Sequence, residues 1–241
     1  METKLNYKRT FLIGLAFLSI CSFWQMYDNI IPLILQNTYH LGETMTGAVM
    51  ALDNVLAIFL LPVFGTLSDK VHTKLGRRMP FIVSGTILAV IFMMLLPMID
   101  NAEKARWGTV ESFSNQVIFL AVLFFTLVSM GLYRSPAVAL MPDVTPNHLR
   151  SRANAVINLM GAVGGVYALI MIKVLVGKGE TPDYLPLFAS IAAVMAIAVG
   201  ILVITIRENK LREEVEKAEA ANAGTIEEKA MAEGVEAAGE I

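Results

Sequence analysis

Four ionisable residues stand inside long apolar stretches of this chain: Asp28, Asp53, Arg134 and Lys173. A charge near the centre of a bilayer costs about 2.5–3.5 kcal/mol even on the mildest scale. Such a residue therefore needs a reason: a partner, a proton or a ligand. A carboxyl held out of water takes up a proton more readily than one in solution. Asp28 and Asp53 are thus candidates to carry a coupling proton, and Lys173 is a candidate partner for either. The three also fit a structural role, as pairs locking helices together, and Lys173 is long enough to snorkel to the surface. Around Asp28 lie Trp24, Gln25, Tyr27 and Asn29. Trp24 and Asp28 are four residues apart and share one face of a helix. An aromatic plate beside a carboxylate suits a sugar: the ring covers the apolar face, and the acid accepts hydroxyl hydrogen bonds. An interfacial aromatic belt would use the same residues, but Trp24 lies deep in its stretch, which favours the sugar reading.

These residues need elements to hold them. A bilayer core is crossed by about 20 apolar residues in a helix. Six such runs occur: Phe11–Leu35, Met45–Leu67, Phe81–Ile99, Gln116–Met141, Ala153–Val176 and Pro186–Ile206. In lipid every backbone polar group must be paired internally, so these runs are predicted to be helices. The expected fold is an all-α membrane protein, a bundle of six transmembrane helices. Composition agrees. The apolar share is 56%, against about 45–50% for soluble domains, and charged residues are only 17%. The first run is too long for a signal-peptide core and has no small-residue cleavage pattern after it.

The Lys/Arg bias orients the bundle. Twelve basic residues fall at one set of ends: Lys4, Lys8, Arg9, Lys70, Lys74, Arg77, Arg78, Arg150, Arg152, Arg207, Lys210 and Arg212. Only Lys104, Arg106 and Lys178 fall at the other. Both termini are predicted to be cytoplasmic. Residues 1–10 form a short cytoplasmic start, 11–206 the membrane domain, and 207–241 an acidic cytoplasmic tail with ten Glu and five Lys/Arg. In that tail Lys210–Glu214, Arg212–Glu216 and Glu213–Lys217 are spaced i, i+4, which supports a short solvated helix continuing the sixth span. Beyond Ala220 the Ala/Glu/Gly composition predicts disorder. With this orientation, depth counting at about 1.5 Å per residue puts Asp28, Asp53 and Lys173 in the outer half and Arg134 toward the inner side. In the fifth span Asn154, Asn158, Gly161 and Gly165 form a small, polar stripe. The Gly-x-x-x-Gly spacing points to close helix packing, and Asn158 could reach a cavity. Pro32 and Pro62 are candidates to kink their helices.

The loop after the second span is the most informative segment. It reads Gly65-Thr66-Leu67-Ser68-Asp69-Lys70, and then Gly76-Arg77-Arg78-Met79-Pro80-Phe81. A positive-inside anchor explains the bases but not this order. The order resembles the signature loop of the major facilitator superfamily, in its longer variant. The resemblance implies that Gly65, Asp69, Gly76, Arg77 and Arg78, with Asp143 at the end of the fourth span, form a cytoplasmic charge cluster that steadies the outward-open state. The Gly-Arg-Arg-x-Pro-Phe ending and the stretch Tyr133-Arg134-Ser135-Pro136 to Pro142-Asp143 are similar to the sucrose and glycoside–pentoside–hexuronide carriers. Two departures matter. The arginine of the sucrose carriers falls on Val138 here, with a base four positions earlier at Arg134. The carboxylates of the sodium-coupled carriers fall on Leu61 and Ala57, which favours proton over sodium coupling. The resemblance covers about residues 10–206, the family's amino-terminal six-helix half, and the Glu-rich tail looks like the start of a central linker.

Other classes have less support. The chain has no phosphate-binding loop, since Gly177-Lys178-Gly179 lacks its spacing and hydroxyl. One cysteine, Cys21, excludes an internal disulfide and a Cys-based metal site. His40, His72 and His148 are scattered, no nucleophile–base pair suggests an enzyme, and no cofactor or nucleic-acid partner is called for. The expected function is sugar transport of the disaccharide or glycoside class across the cell membrane, coupled to protons. The expected partners are the sugar, the proton (or sodium), the bilayer and a second six-helix half, without which the chain is expected to be inactive. Sodium-coupled symport, a channel, and a non-transporting six-helix sensor or assembly protein are the alternatives.

Overall fold

A computed structural model of the chain describes residues 5–106, 113–177, 179, 182–217 and 219–220. It has the expected six-helix bundle: α1 (Tyr7–Asn37), α2 (Glu43–Lys70), α3 (Met79–Lys104), α4 (Phe113–Asp143), α5 (Arg150–Leu175) and α6 (Leu185–Thr205). All six are long and apolar enough to cross a membrane. Each extends a few residues past its apolar run, or begins within a residue or two of it. Asn6 caps α1, its side chain accepting the Arg9 backbone N–H at 3.1 Å.

The helices pack as two closely joined pairs, α1 on α5 and α3 on α4, with α6 bridging α1 and α3. The α1–α5 contact is made by small residues. Ser22 Oγ donates to the Gly164 carbonyl at 2.9 Å, and a Cβ on Gly164 would collide with the Leu18 backbone. Gly161 faces Cys21 and Gly165 faces Gln25, so the small stripe of α5 is a packing surface. A buried polar contact crosses from α1 to α4: Ser19 Oγ and Tyr133 Oη are 2.7 Å apart, and Tyr133 Oη also donates to the Ala16 carbonyl at 3.1 Å.

α2 is different. Only Thr46 and Ser68, near its two ends, are buried. Its long apolar middle, including Val55, Ile58, Phe59 and Val63, is exposed. The helix touches chiefly α4.

The tail departs from expectation. Ile206 is extended (φ −100°, ψ 111°) and ends α6, so the helix of residues 208–217 does not continue the span. It folds back on the bundle instead, with Glu208, Leu211 and Val215 buried. An amphipathic strip, Leu211 and Val215 at i, i+4, drives this docking. The expected Arg212–Glu216 pair forms at 2.8 Å, while Glu214 turns to Arg9 at 3.2 Å. That contact also places both ends of the bundle on one side. The stretch expected to be disordered beyond Ala220 lies outside the described residues, as do Lys4 and Lys178.

Candidate functional site

Two polar constellations stand out. The first is built where α2 ends and α3 begins. Thr73 and Gly76 pair across a tight loop, and Thr73 Oγ1 donates to the Gly76 carbonyl at 2.6 Å. Gly76 has φ +126°, a conformation that side chains oppose. A Cβ there would also strike the Glu208 carboxylate. The loop so formed delivers Arg77 and Arg78 to two aspartates. Arg78 Nε meets Asp143 at 2.9 Å and its Nη2 meets Asp69 at 2.6 Å. Arg77 meets Asp143 at 2.8 Å and Asp69 at 3.6 Å. Arg78 Nη1 donates to the Gly65 carbonyl at 3.1 Å and to Ser68 Oγ. Gly65 itself lies close to Ser135 of α4. All six residues implied by the loop resemblance are thus brought together.

Burial decides the weight of each member. Asp69 is about half exposed (47%), whereas Asp143 (16%) and Arg78 (6%) are not. Burial works against the Arg77 charge, but Asp143, Asp69 and Glu208 more than offset it, so its guanidinium holds its proton above the ordinary range.

Glu208 is the member that sequence reasoning assigned to a solvated tail. It is 1% exposed. Its carboxylate accepts the backbone N–H groups of Arg77 (3.0 Å), Arg78 (3.0 Å) and Met79 (3.1 Å). The first amides of a helix have no partner within it, and a carboxylate there is favoured by the helix dipole. Glu208 therefore caps α3 from 130 residues away. No local pattern marks it.

The second constellation lies on α1, α2, α4 and α5. Asp28 and Asn158 are exposed, and Asp53 is half-buried. Asn54 Nδ2 donates to Asp53 at 2.9 Å, and Asn29 Nδ2 to the Gln25 carbonyl at 2.7 Å. Trp24 and Gln25 are half-buried. Tyr27 is not on the open face: it is 1% exposed, stacked on Phe23 at 6.1 Å and edge-on to Trp24 at 5.4 Å. Trp24 Nε1 and Tyr27 Oη are buried without a hydrogen bond.

The two basic candidates have different surroundings. Arg134 sits over the ring of Trp24, the residue one helical turn before Asp28, at 5.5 Å. α4 runs on to Asp143, so Arg134 lies about 13 Å inside its end, and its long side chain reaches across to α1. Lys173 is exposed and forms no ion pair with Asp28 or Asp53 among the described residues.

A buried acid inside α3 is not among the sequence candidates. Asp100, fully buried, accepts from Thr38 Oγ1 at 2.6 Å and pairs with Lys104 at 2.6 Å. Lys104 also donates to the Pro182 carbonyl at 2.6 Å and lies over the Tyr184 ring at 4.5 Å. This cluster ties α1, α3 and the entry to α6 at the end opposite the arginine loop. Among the described residues no group of three His, Cys, Asp or Glu side chains could hold a metal.

Comparison with known proteins bears on this pattern. Residues 13–235 match the profile of the Major Facilitator Superfamily. The chain belongs to that family. Its multi-pass, all-helical bundle is the architecture of a Major Facilitator Superfamily protein. Among curated proteins it is 26% identical over 137 residues to a sucrose transport protein of Oryza sativa subsp. japonica, covering 54% of this chain and 27% of that protein. It is 34% identical over 116 residues to a sucrose transport protein of Arabidopsis thaliana, covering 45% and 22%. A symporter of Synechocystis is 24% identical over 144 residues, covering 58% and 25%. The aligned segments thus span about a quarter of the length of these relatives.

Proposed function

We propose that this bundle is one six-helix half of a sugar symporter of the disaccharide or glycoside class, driven by protons and working with a second six-helix unit in the cell membrane. Two carboxylates, Asp28 (exposed) and Asp53 (half-buried), stand on incompletely covered faces of apolar helices long enough to cross a membrane. That single observation carries the reading, because charged groups at such a face are costly unless a cavity, a proton or a ligand meets them. Trp24, Gln25 and Asn158 would hold the sugar beside them, and Arg134 over Trp24 would orient the ring. Tyr27 would support Trp24 from within the bundle. Similarity to sucrose transport proteins supports a sugar as the cargo.

Protons are preferred to sodium because Leu61 and Ala57, beside and one turn before Pro62, offer no carboxylate. The basic bias of the arginine-loop end supports placing that end, with both described ends of the bundle, in the cytoplasm. There the Asp69–Arg77–Arg78–Asp143 cluster would favour the outward-open state. Alternating access needs two repeats rocking about a shared site, so the exposed polar face needs a second half against it, covalently joined or separate.

The test is uptake of radiolabelled disaccharides into vesicles holding this bundle alone or with a second six-helix half, under imposed proton or sodium gradients. Accumulation with the second half under a proton gradient supports the proposal. Accumulation under sodium alone would reassign the coupling ion, and no sugar movement under either gradient would overturn the reading.

A further inference from the structure

A groove of about 450 Å³ runs between α3 and α6, on a surface that carries none of the polar residues described above. Its walls include Val83, Val90 and Ile91 of α3, and Val199, Gly200 and Ile204 of α6. The one hydroxyl at its edge, Thr86 Oγ1, donates to the Ile82 carbonyl at 2.7 Å and has no need of a ligand. A groove this apolar within membrane-spanning helices excludes water and a polar solute alike.

Its dimensions point to one occupant. From residue 83 to 91, and from 196 to 204, the lining covers about 12 Å of helix. One leaflet of a bilayer core is about 15 Å deep, half of the ~30 Å total. The groove starts four residues into α3 and ends one residue before the end of α6, so it lies within the leaflet on the arginine-loop side. Past its mouth the chain turns at Ile206. Arg207 and Lys210 follow, with Lys74 on the adjoining loop, where Asn209 Nδ2 donates to the Thr73 carbonyl at 2.9 Å. All three bases are exposed, and none forms an ion pair among the described residues. The nearby Glu214 and Glu216 are already engaged by Arg9 and Arg212.

We infer that the α3–α6 groove is a binding site for one acyl chain of an anionic phospholipid, whose headgroup is held by Arg207, Lys210 and Lys74. Close van der Waals packing of the chain against the groove walls supplies the affinity there, and the unpaired bases, each worth on the order of 1 kcal/mol near an anionic surface, supply the headgroup preference. Gly200 keeps the groove open: a Cβ built there meets nothing within 4 Å. The inference depends on membrane insertion but not on which solute is carried.

The full chain in phosphatidylcholine vesicles, doped with phosphatidylglycerol carrying a photoactivatable diazirine on one acyl chain, provides the test. After photolysis, label mapped by peptide mass spectrometry is expected in segments 83–91 and 196–204, several-fold above the exposed face of α5 around Leu159 and Val166. Gly200→Phe is expected to remove the label from those two segments and leave it elsewhere. The double variant Arg207→Gln/Lys210→Gln is expected to lower labelling by phosphatidylglycerol to the level given by a diazirine phosphatidylcholine. Even labelling of all lipid-facing helices in the unaltered chain overturns the site, whatever the variants do. Equal labelling by the two lipids in the unaltered chain overturns the headgroup assignment. Disulfide-linked dimers of an Ile87→Cys variant, with the groove unlabelled, would show that a second copy covers it and would also overturn the proposal.

Discussion

Arg78 and Asp143 meet at 2.9 Å, Nε to Oδ2, and this bond joins the residue just before α3 to the last residue of α4. The same carboxylate oxygen also receives Arg77 at 2.8 Å. Asp143 therefore serves two guanidinium groups, one of them almost wholly buried. Asp69 completes the cluster from a half-exposed position.

Removing the two aspartates should have unequal effects. Asp143→Asn leaves Arg78 buried with one acidic partner, and breaking a buried pair costs about 3–5 kcal/mol. Asp69→Asn acts at a site screened by solvent and should cost about 1 kcal/mol or less. Thermal unfolding of the two purified variants in detergent measures the difference. Equal destabilisation would contradict the ranking by burial.

Glu208→Ala should destabilise the bundle by about 2–3 kcal/mol, since three backbone N–H groups lose a charged acceptor in a buried place. Glu208→Gln keeps one acceptor oxygen and should lose roughly half as much. Hydrogen exchange at Arg77–Met79 provides a direct readout. These amides should exchange markedly faster in the alanine variant, and unchanged protection would remove Glu208 from its capping role.

Gly164→Ala and Gly200→Ala should differ sharply. A Cβ at Gly164 collides with the Leu18 backbone, while one at Gly200 meets open space. The first should cost several kcal/mol by forcing α1 and α5 apart. The second should be neutral or stabilising by about 0.5–1 kcal/mol, the helical preference for Ala over Gly. Melting temperatures of the pair decide it.

Asp28→Asn and Asp53→Asn bear on the proposed mechanism. In a complete carrier with the second half supplied, each should abolish proton-driven accumulation and can spare exchange of sugar down its gradient. Accumulation at the unaltered level in both variants would sink the assignment of the coupling proton to these acids.

The spans were readable because an apolar run long enough to cross a bilayer has few other uses. Their ends were not, because hydropathy stops at the first charge while a helix continues. Hydropathy closes the third run at Ile99, which leaves Asp100 outside it. Yet Asp100 and Lys104 stand at i, i+4 in the sequence, the spacing of an intrahelical ion pair, and that signal was available. The loop from Gly65 to Arg78 was legible because its chemistry is local. Depth along α4 places Arg134 toward its Asp143 end but says nothing of how far its long side chain reaches sideways, over the Trp24 ring. Glu208 carried no signal of its own, since its role depends on amides 130 residues earlier.

The turn at Ile206 has a mechanical consequence. Two residues past it, the polypeptide is fastened by a carboxylate to the beginning of α3, and further on Glu214 is tied to Arg9 near the start of α1. Tension arriving along the chain from beyond residue 217 is therefore not delivered to α6, the helix from which that chain emerges. It reaches first the Glu219 carboxylate, which accepts the Asn147 N–H at 3.1 Å, then the Arg9 contact and then the Glu208 anchorage, so a pull from that side is shared among the loops before any span is displaced.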